Sequence, residues 1–471
     1  MKKIILYSLI IPFVLIGCSD FLDQKPKLTT SNELSWSTYN GLNSATLGAY
    51  APLYSTDWYG SNFILAAELR GGNSKNPISA GYGSSRMTDD PKWNYTETGT
   101  SPLWNIAYFT ISAANNVLNA ADNVTDANEA DIKNLKAECL FIKALAHFDL
   151  VRIYAQPYSY KPEMAGVPYI EITQPGKPAR NTIKQCYDNI VIDLLKAETL
   201  MEDDYKRTGL ASYKGAAQKP AIQALLSRVY LYMGEYQKSA DYATKVINNS
   251  NYRLWTSAEY PNQWGEAIGT DEIIFEVEGN SAYYYRPYWT EIHRMTNPIG
   301  YADVVTTTDL LDLFTADPTD VRGTMFTAVA GIPERWTKKY PGKGIAEPDA
   351  SNIPVLRLSE MYLNRAEAIL NGATIAGVTA LGDLNAIAGN RGATLHTVAD
   401  DNAIYLERRK ELCYEGHLVF DHARWQKGIV RTDNFFTNIA NKDIPFPSNK
   451  WALPIPKTET ATNPNLEQNP N

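Results

Sequence analysis

The sequence predicts a mainly α fold, in which helical hairpins form a scaffold for long irregular loops and a few short strands. Three observations carry this. Apolar residues recur at helical spacing in segments that come in pairs. Long stretches rich in Pro, Gly, Asn and aromatics separate those pairs, and a single segment, Asp271 to Gly279, alternates like a strand. With 471 residues and 44% apolar content the chain can bury a large core, and one domain over 18–471 is expected.

The first element is a leader. Lys2 and Lys3 precede about a dozen mostly apolar residues from Ile4 to Gly17, short of the roughly 20 needed to span a bilayer. Residues 1–17 have the size and polarity of a secretory signal peptide. Leu15-Ile16-Gly17-Cys18 resembles a bacterial lipobox, which implies that Cys18 takes lipid and anchors the mature chain to a membrane. Asp20 and Asp23 resemble the surface-export signal of Bacteroidetes lipoproteins. A formal charge of −8 speaks against nucleic acid as a partner. Beyond Cys18 only Cys139, Cys186 and Cys413 remain, an odd number in partly apolar settings, so buried free thiols are expected.

The helices follow in order. Ala137 to Tyr154 carries a stripe through Leu140, Ala144, Phe148 and Val151, and Ile183 to Leu200 supplies a second through Ile190, Leu194 and Ala197. The clearest pair is Ala221 to Ile247, where Gly234 breaks the first helix and small Ser239 and Ala240 let the second approach it. Such a unit is tetratricopeptide-like and buries its face by stacking on neighbours. A further pair starts after Pro354 with VLRLSEMYLNRAEAILNG. Hairpins are thus expected over about 130–250 and 354–428, too unevenly spaced for a regular solenoid.

Between them, about 54–104 and 256–350 read as ligand-bearing loops, because a helical scaffold puts function in what it displays. Aromatic rings beside Asn, Asp or Arg side chains suit a ligand that offers flat apolar faces together with hydrogen-bonding groups, met in a preformed site. Three clusters offer both: Asp57, Trp58 and Tyr59; Arg70 through Asn73 to Tyr82, Arg86 and Trp93; and SAYYYRPYWTEIHR, with Tyr284, Tyr285, Trp289 and Arg294. The candidate ligand residues are Asn73, Tyr82, Arg86, Trp93, Tyr284, Tyr285, Trp289 and Arg294.

Two blocks near the C-terminus suggest a family. In Ala403 to Gly428, Glu407-Arg408, Glu411-Leu412 and Glu415-Gly416 fit an ER-x-x-EL-x-x-EG-R run, and Asp421 with Arg424-Trp425 fits D-x-x-RW. Leu453 to Pro456 with Asn463 to Asn469 fits LPIP followed by NP-N-x-QN. Together with the lipobox and the RLSEMYLNRAEAIL helix, these resemble the SusD/RagB family of Bacteroidetes surface lipoproteins. His417 stands where that family usually carries arginine, which puts one ion pair in doubt. The resemblance implies an outer-membrane, surface-exposed protein that is not an enzyme. It would bind a glycan and act as a lid on a SusC-like TonB-dependent transporter; some relatives take peptides instead.

The residues themselves agree with a binding role. The five histidines form no HExxH pair, no Cys/His cluster has zinc spacing, and there is neither a G-x-S-x-G elbow nor a P-loop. No cofactor or metal is expected. Glu407, Glu411 and Glu415 repeat every four residues among arginines, as a structural ion-pair network would. Peptide capture, with Arg70, Arg86 or Arg294 meeting carboxylates, is the alternative. A protein-interaction scaffold without a small ligand, or slow glycosidic cleavage by loop acids such as Asp57 or Asp89, ranks lower.

Overall fold

The computed structural model describes residues 36–98, 103–210, 212–265, 270–280, 291–343, 349–433 and 442–470. Cys18, Tyr284, Tyr285 and Trp289 lie outside them. Helices of seven residues or more are α1 Tyr39–Tyr50, α2 Asn62–Gly71, α3 Leu103–Ala120, α4 Glu129–Tyr154, α5 Ile183–Leu200, α6 Lys219–Met233, α7 Tyr236–Ile247, α8 Thr308–Thr315, α9 Leu358–Leu370, α10 Ala380–Asn390, α11 Asp401–Leu412 and α12 Leu418–Arg424. The strands are short and pair in twos: β1 Ser74–Lys75 with β3 Val305–Thr306, β2 Ile273–Val277 with β6 Ile353–Arg357, β4 Phe326–Ala328 with β5 Arg335–Thr337, and β7 Ile429–Val430 with β8 Asp443–Ile444, all antiparallel.

The centre of the scaffold is α4. From Leu135 onward it is buried on nearly every side, so its polar residues must be satisfied internally. Glu138 pairs with Arg207 at 2.9 Å and Lys143 with Asp193 at 3.0 Å. Asp149 accepts from Trp58 Nε1 and Tyr59 Oη, both at 2.7 Å. The first aromatic cluster expected to meet ligand therefore packs against the core instead; Trp58 is fully buried. His147 is held neutral by its contacts: its Nδ1–H donates to the Lys143 carbonyl at 2.9 Å, and the Ile170 N–H donates to Nε2 at 3.0 Å. The three cysteines beyond the leader are buried free thiols.

Hairpins flank this helix. Within α6–α7, Gly234 takes a left-handed φ of 73° that ends α6, and its N–H caps that helix. Ser227 and Ser239 bond across the crossing, each hydroxyl donating to the other's carbonyl, at 3.1 and 2.9 Å. The segment read as helical from Val355 differs: Ile353–Arg357 is strand β6, and the helix begins at Leu358. Ile353, Pro354, Leu356 and Arg357 pair along β2 with every residue of β6 buried, so tertiary pairing overrides the helical spacing. A second difference is α2, which lies inside the stretch read as loop. Its apolar Phe63, Ile64, Leu65, Ala67 and Leu69 are all buried.

The acids of α11 form the expected network. Glu411 bonds Arg322, Arg357 and Arg391 at 2.8–3.1 Å, Glu407 meets Arg322 at 2.7 Å, and Glu415 meets Arg357 and Lys339, also at 2.7 Å. All three carboxylates are buried there, and each faces a cation that compensates its desolvation.

Candidate ligand site

The two long loop regions meet through the β1–β3 ladder, with Ser74 opposite Thr306 and Lys75 opposite Val305. This joins the chain leaving α2 to the turn at 294–306. Arg409 of α11 fixes the junction from below: its Nε donates to Asn73 Oδ1 at 2.8 Å, while Asn73 Nδ2 donates to Glu68 Oε2 at 2.9 Å.

The loop from Asn76 to Tyr95 is then pinned by two buried acids. Asp303 accepts from the Ser84 N–H at 2.6 Å and the Arg86 N–H at 3.2 Å. Glu334 accepts from the Ile78 and Ser79 N–H groups at 3.1 and 2.9 Å. A carboxylate that gathers backbone N–H groups holds a loop more firmly than surface contacts do. Ser85, Met87 and Trp93 all have left-handed φ values between 51° and 63°, unusual for residues with a Cβ. Such backbone strain persists only where the surroundings over-determine it.

On the outer side of this loop the Arg86 guanidinium lies 3.8 Å over the Tyr301 ring, with its charge 3.7 Å from Asp303. Tyr82, half-buried, leans on the buried Trp336 with ring centroids 4.9 Å apart. Gly83 N–H donates to the Tyr301 carbonyl at 3.1 Å, and the Arg294 carbonyl accepts from the Tyr301 N–H at 2.7 Å. Arg294 itself pairs with Asp349 at 2.7 Å. Tyr82, Arg86, Tyr301 and Arg294 thus form one partly exposed polar-aromatic surface on a rigid base.

On the inner side, Ser85, Met87 and residues 88–90 and 94–96 roof a cavity of about 460 Å³ over α2. Asn62, Phe63, Ala66, Ala67 and Arg70 line its helical wall, and Ile153, Phe420 and Leu453 its far end. Burial pushes the Asp90 carboxyl up to about 6, against the opposing pull of Arg70 and a hydrogen bond from Tyr95 Oη.

Residues 20–231 match a SusD-like family described as starch-binding and associating with the outer membrane, and residues 322–471 match the SusD family. A SusD superfamily protein from Bacteroides thetaiotaomicron is 30% identical, with a TM-score of 0.82 over 92% of this chain and 100% of that one. The chain belongs to the SusD family. A SusD-like protein of Formosa agariphila is 25% identical over 100% of this chain and 99% of its own. A laminarin-binding SusD-like protein shares the fold at a TM-score of 0.71 and 22% identity, over 91% of this chain and 98% of that one.

Within this SusD-family fold the expected ligand residues divide. Tyr82, Arg86 and Arg294 are brought together. Asn73 and Trp93 are corrections, each about 1% exposed. Asn73 is consumed by Glu68 and Arg409. Trp93 donates its Nε1–H to the Arg70 carbonyl at 3.2 Å and meets Trp451 edge-on at 5.1 Å, so it supports the loop from beneath. Tyr301, Asp303 and Glu334 escaped the sequence reading. Tyr301 closes an aromatic loop and could have been included, whereas nothing in the sequence marks the two acids as loop clamps.

Proposed function

We propose that this protein captures a glycan at the surface formed by Tyr82, Arg86, Tyr301 and Arg294 and delivers it to a TonB-dependent, SusC-like outer-membrane transporter, tethered to the membrane through Cys18. The observation that carries this is the convergence of aromatic rings and guanidinium groups from two distant loops onto one rigid base. Rings can cover the C–H faces of a sugar while Arg86 and Arg294 donate to its hydroxyls. Family membership and the laminarin-binding relative support a carbohydrate over other ligand classes. The acids beside this surface are engaged by backbone N–H groups and ion pairs, which supports binding over catalysis there.

The test is calorimetry on the full-length chain in detergent, titrated with polysaccharides, their oligosaccharides and a peptide digest. Saturable glycan binding is expected. Tyr301→Ala and Tyr82→Ala should each weaken it up to roughly tenfold, the scale of a lost ring contact of about 0.5–1.5 kcal/mol. Binding of peptides alone would replace this reading with peptide capture. Co-purification of the transporter from the outer membrane, lost on Cys18→Ala, checks the delivery role.

A further inference from the structure

The chain buries most of its arginines and gives nearly all of those an acid. Among the described residues, Arg207, Arg228, Arg322, Arg357, Arg391 and Arg408 each face a carboxylate within about 3 Å. Arg431 donates to the carbonyls of Pro91 and Lys442. Arg70 is different. It is 4% exposed, and among the described residues its guanidinium makes neither an ion pair nor a hydrogen bond; its buried Nε is unsatisfied. Its neighbours are rings, Trp93 at 4.7 Å and Tyr95 at 5.4 Å, and the cavity that it lines.

A buried cation without a partner costs several kcal/mol, so a fold that pairs its other arginines this thoroughly has a use for this one. The two rings hold the guanidinium plane in place, which pre-organises it for a planar or tetrahedral oxyanion. Asp90 lies close enough to feel its charge but gives an oxygen to Tyr95 Oη at 3.2 Å rather than closing an ion pair. The rest of the wall suits a sugar ring: Phe63, Ala66 and Met87 are apolar, while Asn62, Asn94 and Asp89 can meet hydroxyls. At about 460 Å³ the cavity falls within the roughly 300–1,000 Å³ typical of small-ligand sites.

We propose that the ligand is an acidic glycan and that its uronic carboxylate or sulfate ester seats in this cavity against Arg70, beneath the 84–96 loop. This rests on the glycan reading above and adds the ligand's charge and the residue that reads it. Arg86 and Tyr301 on the outside of the same loop contact the neighbouring units of the chain.

The experiment compares acidic oligosaccharides with their neutralised twins: oligogalacturonides against their methyl esters, and sulfated galactan oligomers against desulfated ones, with an acidic peptide digest alongside. At least one acidic glycan is expected to bind tenfold or more tightly than its twin. Arg70→Met should erase that preference, Arg70→Lys should keep part of it, and the melting temperature of Arg70→Met should stay level or rise, because an uncompensated charge has been removed. Equal binding of acidic and neutral twins overturns the proposal and leaves the glycan reading standing. So does a preference that survives in Arg70→Met. A melting temperature that falls as far as in Arg391→Met would make Arg70 a structural charge and overturn it too. Silence across these pairs overturns the acidic-glycan proposal, and the broader polysaccharide titration above then decides the glycan reading; acidic peptides binding alone in both removes both.

Discussion

Arg391 shows what a structural charge looks like in this molecule. It is completely buried, donates to Glu272 and Glu411 at 2.7 and 2.8 Å, and also reaches the Trp255 carbonyl. Replacing it with Met leaves two buried carboxylates short of a cation, and a cost of about 3–5 kcal/mol is expected. Urea unfolding at neutral pH measures this directly; a loss below about 1 kcal/mol would mean that Arg322 and Arg357 carry the acids unaided. His417 illustrates the converse. Burial, together with the nearby charges of Arg228, Arg408, Arg152 and Arg357, holds its imidazole well below its usual range. Asp421, whose N–H donates to the His417 carbonyl, is already engaged by Arg408 and Arg424, so the neutral side chain sits there without adding an ion pair.

At the scale of elements, the turn between the one-turn helix Ile292–Met295 and β3 sets the surface proposed to meet the glycan. Gly300 is there because the chain doubles back on itself. A Cβ at this position would lie 2.7 Å from Arg294 Cα and closer still to its carbonyl oxygen, which already accepts from Tyr301 and Ala302. Gly300→Ala must open the turn and shift Tyr301 away from Arg86. Glycan affinity is expected to fall at least tenfold while the melting temperature drops only a few degrees, since the turn is exposed and the core untouched. Calorimetry with a parallel thermal melt separates the two effects. How much could be read beforehand follows the same division. The α6–α7 hairpin was legible because its small residues, its breaking glycine and its apolar stripe all sit in sequence order. The face on which an irregular loop presents each side chain is set by partners far away in the chain. Trp93 and Asn73 therefore turned inward towards Trp451 and Arg409, while Arg86 turned out. Arg70 was visible only as a basic residue able to meet a carboxylate, in a stretch read as loop that is in fact the end of α2. Its lack of a partner is a property of the packed structure and has no signature in sequence.

The whole molecule carries its charges in a way that fixes how acid unfolds it. His147 is neutral inside the core, its pKa lowered to about 3 mainly by burial, whereas in the unfolded chain it titrates near 6.5. The unfolded state therefore binds a proton that the folded state refuses, so the stability from this group is complete above pH 6.5 and is lost as pH falls towards 3. Glu407 acts in the same direction lower down. Despite burial, Arg322, His396 and Lys410 bring it to about 2, so its contribution is present above about pH 4.5 and drains away towards 2. Asp90 opposes both. Raised to about 6, it takes up its proton in the folded state first and so offsets one histidine between about pH 6 and 4. The wild-type protein is thus expected to lose stability slowly between pH 6 and 4 and steeply below. Each proton of difference is worth about 1.4 kcal/mol per pH unit. His147→Gln should shrink the loss between pH 7 and 4 by about 3 kcal/mol, whatever its cost at neutral pH. Asp90→Asn should enlarge that loss, because the offset is gone. Urea unfolding of the three proteins at both pH values decides it, and an Asp90→Asn curve that parallels the wild type would place the raised carboxyl elsewhere.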